Sequence, residues 1–193
     1  MRHIVFMSVQ GAENNHFIPH HKTEQLLMAS GVPYTLLRPA YFMQNLTTTL
    51  RTDVVERHRI FLPAGKARFA LIDVRDIGDV AAAVFTDESG RHHGQAYALT
   101  AQYRLNFRQM ADQLTAGLGR PITYVSPSLW RFYRTKRREG LAHGFVLIML
   151  LLHYLPRFSA EPPVTDAVAR ITGRPPREFA QFVADNRAHL LGE

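Results

Sequence analysis

The sequence predicts an α/β fold: a parallel sheet with flanking helices, followed by a small helical subdomain at the C-terminal end. Three observations carry this reading. Residues 3–8 and 34–37 are short apolar runs of the kind found in strands buried on both faces, and a helix-forming segment separates them. A further strand and helix follow at 69–72 and 77–85. Beyond residue 125 the pattern turns helical and less regular. Strand, crossover helix and second strand make a βαβ unit, and such units build parallel sheets.

Taken in order, residues 3–8 end in the small polar Ser8, and a polar loop follows over 11–19. The helix expected over 20–29 carries Leu26, Leu27 and Met28 and stops at Ser30-Gly31. Val32-Pro33 opens the second strand, which ends at Arg38-Pro39, and a further helix is expected over 40–56. Asp73 is the expected N-cap of the 77–85 helix, with Asp76 favourable in its first turn. Capping, rather than metal binding, accounts for Asp73, Asp76 and Asp79. A strand over 95–99 precedes a helix capped by Asn106 and closed by Gly119, and a last strand covers 122–125. Residues 126–172 are expected to be a helical lid or substrate subdomain, and Pro175-Pro176 starts a final helix over 177–190.

Composition narrows the function classes. The chain has no cysteine, which removes disulfides, thiolate nucleophiles and cysteine-ligated zinc, and favours a reducing, cytoplasmic setting. The opening residues lack the pattern of a secretory signal. The longest apolar stretch, 145–152, is shorter than the roughly 20 residues a membrane span needs, so a buried helix is expected there ahead of a membrane-surface contact. The net charge of +7 suits phosphorylated ligands as well as nucleic acid or anionic membrane. Its local concentration is Arg131, Arg134, Lys136, Arg137 and Arg138, interleaved with Trp130, Phe132 and Tyr133. That segment is read as a solvated helix face with its aromatics turned inward; no nucleic-acid-binding motif accompanies it. His92-His93 sits in a turn with no carboxylate pattern to complete a metal site.

Four segments resemble one family. Residues 3–8 end a strand in Ser8; Gly31-Val32-Pro33-Tyr34-Thr35-Leu36-Leu37-Arg38-Pro39-Ala40-Tyr41-Phe42-Met43-Gln44-Asn45 follows Lys22-Thr23-Glu24; then come Ile72-Asp73-Val74-Arg75-Asp76-Ile77-Gly78-Asp79 and Thr172-Gly173-Arg174-Pro175-Pro176-Arg177-Glu178-Phe179. In this order they are similar to the NmrA-like family of atypical short-chain dehydrogenases. The resemblance implies a partial Rossmann-like sheet, with 1–125 the C-terminal part of an NAD(P)-binding domain and 126–193 a mostly helical subdomain. It also implies NAD(P), with NADP(H) preferred. The family's Gly-x-x-Gly-x-x-Gly turn, whose backbone N–H groups cradle the pyrophosphate, has no counterpart in this sequence. Met1 is therefore expected to fall at the family's mid-domain, as an internal start or a genuine fragment, with dinucleotide binding compromised.

The same resemblance assigns the candidate residues. Ser8 stands where the superfamily's carbonyl-orienting Ser falls, and Lys22 where its ribose-binding, pKa-lowering Lys falls. The proton-donating Tyr would lie four residues before Lys22, at Ile18, which has no proton to give. Pro39, Ala40, Tyr41, Phe42 and Asn45 follow the second strand at its carboxyl end, where the family contacts the nicotinamide. Gln10, His16 and Met43 are the substrate candidates, and His16, His20 and His21 are read either as a replacement acid or as solvated loop histidines. An oxidoreductase on a quinone-like or small carbonyl substrate is the leading expectation. The alternatives are a non-catalytic redox sensor that regulates a protein partner, and a product that binds little dinucleotide. A homodimer is a further expectation.

Overall fold

The computed structural model describes residues 3–193. In chain order its elements are β1 (Ile4–Met7), α1 (Pro19–Ala29), β2 (Tyr34–Pro39), β3 (Tyr41–Phe42), α2 (Arg51–Val55), β4 (Arg59–Phe61), β5 (Arg68–Ile72), α3 (Val74–Thr86), β6 (Gln95–Leu99), β7 (Arg104–Asn106), α4 (Phe107–Leu118), β8 (Thr123–Val125), α5 (Leu129–Arg138), α6 (His143–Tyr154), α7 (Ala167–Thr172), α8 (Phe179–Asp185) and α9 (Arg187–Leu191). They group into two compact units, each assembled from three chain segments. The expected boundary at residue 125 falls within the second unit.

The first unit takes the segment ending at Met43, Ala70–Arg104 and Pro163–Glu178. Its sheet runs β1-β2-β6, all parallel, with Ile4 opposite Tyr34 and Thr35 opposite Gln95. β3 pairs with β5, also parallel, Tyr41 lying opposite Leu71. The βαβ expectation therefore holds in the pairing itself. Leu37, Ile72, Ile77, Val80, Val84, Leu99 and Val168 form the core, where α3 packs on α7. α3 starts as expected: the Asp73 carboxylate accepts from the Arg75 backbone N–H at 2.9 Å. Asp76 and Asp79 do something else. Both accept from the Arg177 guanidinium, at 2.5 and 2.9 Å, so the third and fourth family segments are one ion-pair cluster.

The second unit takes Gln44–Phe69, Leu105–Pro162 and Phe179–Glu193. β4 and β8 pair in parallel, Ile60 opposite Tyr124. α4 opens with a reciprocal capping box between Asn106 and Gln109 and closes at Gly119 in the left-handed region (φ 72°), as the sequence implies. It buries Phe107, Met110, Ala111, Leu114 and Leu118, a helical stripe that packs on α8.

Four expectations change. The helix over 40–56 is instead β3, a 3-10 turn at Met43–Leu46 and the single-turn α2, because Ala40 continues the β2 ladder by donating to the Leu99 carbonyl at 3.0 Å. The final helix is split into α8 and α9. α6 is not a buried helix: it buries Val146, Met149 and His153 but exposes Phe145, Leu147, Ile148, Leu151 and Leu152. On α5 Phe132 is buried and Arg131, Arg134, Arg137 and Arg138 are exposed as expected, but two positions differ. Trp130 is 65% exposed, while Lys136 is buried in an ion pair with Asp53 and Glu139.

Candidate functional site

Parallel strands place the residues that follow them at one edge of the sheet, the usual ligand-binding edge of such folds. In the first unit that edge holds the ends of β1 and β2. The Ser8 and Gln10 backbone N–H groups donate to the carbonyls of Leu37 (2.7 Å) and Pro39 (3.0 Å), so the two post-strand segments lie side by side.

Beneath them is a buried polar cluster. The Ser8 hydroxyl donates to Glu24 of α1, whose side chain is fully buried. Arg38 closes on the same carboxylate with two bonds, Nε to Oε1 at 3.0 Å and Nη2 to Oε2 at 2.6 Å, and reaches Glu13 at 3.3 Å. Burial works to raise the Glu24 carboxyl, but the hydrogen bonds from Arg38 and Ser8 outweigh it and hold the group below its ordinary value. A serine has one proton to donate, and that of Ser8 goes to Glu24. To orient a substrate carbonyl, Ser8 would have to release Glu24.

α1 begins with Ile18 as its N-cap and Pro19 in the first turn. Lys22 is exposed and has no hydrogen bond or ion pair among the described residues. Its ammonium is available to a ligand at a helix N-terminus, where the dipole gives it no stabilisation. Within α1 the His21 Nδ1 donates to the carbonyl of Ala12 in the preceding loop at 2.8 Å. The His21 Nε2 hydrogen-bonds the His16 Nδ1 at 2.8 Å, and the Nε2 of the exposed His16 has no bond among the described residues. His20 is exposed, its ring 6.4 Å from that of Phe6.

The other candidates differ in access. Gln10 donates its side-chain amide to the Pro163 carbonyl at 2.8 Å. Pro39 and Ala40 are buried and their backbone is engaged, the Pro39 carbonyl accepting from the Gln10 N–H and the Ala40 N–H donating to the Leu99 carbonyl. Tyr41 and Phe42 are half-buried, and Phe42 packs on the core. Met43 is 1% exposed and is a core residue. Asn45 belongs to the second unit, where its carbonyl accepts from the Leu50 N–H at 2.8 Å.

Sequence reasoning missed the Glu24–Arg38 pair. The signal was present: Arg38 is a charge in an apolar strand, and a charge so placed needs a partner. His92 is also structural, its carbonyl accepting from Thr35 at 2.6 Å and its ring bonding the Tyr97 hydroxyl at 2.8 Å.

This arrangement is a Rossmann-like α/β fold with a buried polar cluster at the carboxyl edge of its parallel sheet. A profile of the NmrA-like family matches residues 3–146, and the chain belongs to that family. It is 31% identical over 167 residues to an NAD(P)H azoreductase of Xenophilus azovorans, covering 86% of this chain and 57% of the relative. It is 31% identical over 157 residues to an uncharacterized oxidoreductase of Bacillus subtilis, covering 81% and 54%. The chain thus spans a little over half the length of these curated relatives. An Escherichia coli NADPH-dependent quinone oxidoreductase complexed with NADPH shares the fold, with TM-score 0.81, 23% identity, and coverage of 96% of this chain and 65% of that one. NmrA, a negative transcriptional regulator in complex with NADP, has TM-score 0.65 and 17% identity, covering 96% and 64%.

Proposed function

We propose that this chain is the ribose- and nicotinamide-contacting part of an NAD(P)H-dependent oxidoreductase that reduces a quinone-like or other small carbonyl substrate. The observation that carries the reading is Lys22: an exposed, unpartnered lysine on the first turn of α1, at the position the family gives to its ribose-binding lysine. The half-buried rings of Tyr41 and Phe42, which follow β2, are the proposed contacts of the flat nicotinamide portion, and NADP(H) is the proposed form. The pyrophosphate half is not matched here. The only glycine between β1 and α1 is Gly11, and no Gly-x-x-Gly-x-x-Gly turn occurs in the sequence. Bound NAD(P)H would supply a hydride. The chain's own part is to hold the ribose through Lys22 and, with Ile18 where a Tyr would stand, to pass the accompanying proton through His16. The setting is cytoplasmic, and a homodimer or protein partner is compatible with the reading.

NADPH oxidation against a panel of quinones, with calorimetric NADPH binding in parallel, tests this. Turnover that falls about tenfold or more in kcat/KM for Lys22→Ala supports the enzyme, since a lost charged ligand contact is worth about 1.4 kcal/mol or more. A second reading, a redox sensor, is favoured by Ile18 and by the engagement of the Ser8 hydroxyl with Glu24. Binding without turnover for any quinone selects it. The absent phosphate cradle predicts that this chain binds NADPH more weakly than micromolar; a micromolar dissociation constant refutes that part.

A further inference from the structure

α6 carries no Asp, Glu, Lys or Arg in its twelve residues. Val146, Met149 and His153 anchor one face within the second unit, His153 lying against the rings of Phe69 and Phe107. The opposite face exposes Phe145, Leu147, Ile148, Leu151, Leu152 and, one residue beyond, Leu155, each between 44% and 57% exposed. A helix apolar on every side is ordinarily buried, and contiguous exposed apolar surface of this extent marks an interaction site. The neighbouring α5 supplies charge. Arg131, Arg134 and Arg138 follow helical spacing along one groove with the exposed Trp130, and none has an acidic partner among the described residues. The Tyr133 hydroxyl bonds the His143 ring at 2.9 Å, tying α5 to the start of α6. At the far end the Arg157 guanidinium lies over the ring of Tyr154 at 4.9 Å, a cation held at the border of the apolar face.

We propose that the α5–α6 hairpin is a docking surface for an anionic lipid bilayer, with the α6 leucines entering the acyl boundary and the α5 arginines meeting lipid phosphates. The inference stands independently of the cofactor reading. Charge complementarity selects the occupant. A second copy placed on the same patch would present α5 and α6 again, which carry no Asp or Glu, so the arginines would gain no anionic partner. Nucleic acid would match the arginines and Trp130 but leave the aliphatic face of α6 without a partner. No helix of the described residues is long and apolar enough to cross a membrane, so the contact is peripheral, in the manner of an interfacial helix.

Trp130 is the only tryptophan of the chain, so its fluorescence reports this surface directly. The test mixes the chain with phosphatidylglycerol-containing vesicles and with pure phosphatidylcholine vesicles, reading Trp130 emission and co-sedimentation at low and high salt. The expected result is a blue shift and co-sedimentation with anionic vesicles, at least about tenfold weaker on neutral ones and weakened by salt. Arg131→Glu/Arg134→Glu and, separately, Ile148→Asp/Leu152→Asp each reduce binding about tenfold or more. All four positions are exposed, and an unchanged unfolding transition confirms that the variants fold. Absence of binding to anionic vesicles overturns the proposal, as does binding indifferent to both variants. Concentration-dependent dimerisation abolished by Ile148→Asp/Leu152→Asp, without vesicle binding, overturns it in favour of a contact between copies.

Discussion

Lowering the pH from neutrality to 5 is predicted to destabilise the second unit through one side chain. His153 is 5% exposed, donates its Nδ1 to the Met149 carbonyl at 2.6 Å and lies against the rings of Phe69 and Phe107. Burial pushes its pKa from the ordinary 6.5 down to about 4. The folded state therefore resists protonation that the unfolded chain accepts. The resulting stability is fully present above pH 6.5 and is lost as pH falls from 6.5 toward 4, with no further loss from this group below that. At pH 5 the gap of 1.5 units below the unfolded value, at about 1.4 kcal/mol per unit, removes about 2 kcal/mol. That is a large share of a typical stability of about 5–15 kcal/mol. Glu24 and Asp53, both held below their ordinary values, lose their contributions at lower pH and do not titrate in this window. His3 and His92 are also lowered by burial and slope in the same direction, which is why the comparison must be with His153→Gln rather than with theory. Urea unfolding of both proteins at pH 7.5, 6 and 5 gives the answer. Wild type should lose about 2 kcal/mol more than the variant between pH 7.5 and 5; parallel losses in the two proteins would refute the argument.

Three further substitutions probe the packing. Glu24→Ala strands the largely buried Arg38 guanidinium without its two-bond partner and should cost about 3–5 kcal/mol in chemical denaturation, with a loss under 1 kcal/mol counting against a structural role. Arg177→Ala removes the guanidinium that pairs with both Asp76 and Asp79, leaving Asp76 the backbone N–H of residue 177 and Asp79 the Arg174 guanidinium, and should cost about 2 kcal/mol. Burial already raises the Asp76 carboxyl, so an NMR titration of the variant should find it raised further. Gly117→Ala would place a Cβ 2.5 Å from the Val183 Cγ1 where α4 meets α8, an overpacking worth about 1–3 kcal/mol. The cost should shrink when Val183→Ala is added, and an additive pair would disprove the clash.

Much of the first unit was legible in the sequence because its signals are local. Apolar runs such as 34–37 flanked by Gly31 and Pro39 specify strands, and Asp73, like Asn106 and Gly119 in the second unit, marks a helix end through bonds made within a few residues. What failed depends on partners distant in the chain. Residues 40–56 place Met43, Leu46, Leu50 and Val54 at intervals of three and four, which fits a helix, while the bond from the Ala40 N–H to the Leu99 carbonyl holds their start extended. Arg59-Ile60-Phe61 is too short to announce itself as a strand until Thr123–Val125 lies beside it.

The candidate site shows the same limit more sharply. Family spacing located Ser8 and Lys22, but spacing is silent on what a hydroxyl or an ammonium touches. Ser8 and Glu24 are 16 residues apart and Arg38 is 14 further on, so their cluster is a property of the βαβ turn and not of any segment. Arg38 gave the one usable sign, because an unpaired charge among Thr35, Leu36 and Leu37 would cost several kcal/mol. Following that sign alters the chemistry assigned to the edge. It ties the hydroxyl of Ser8 to the scaffold, and it leaves Lys22 and His16 as the groups with atoms free to meet a ligand.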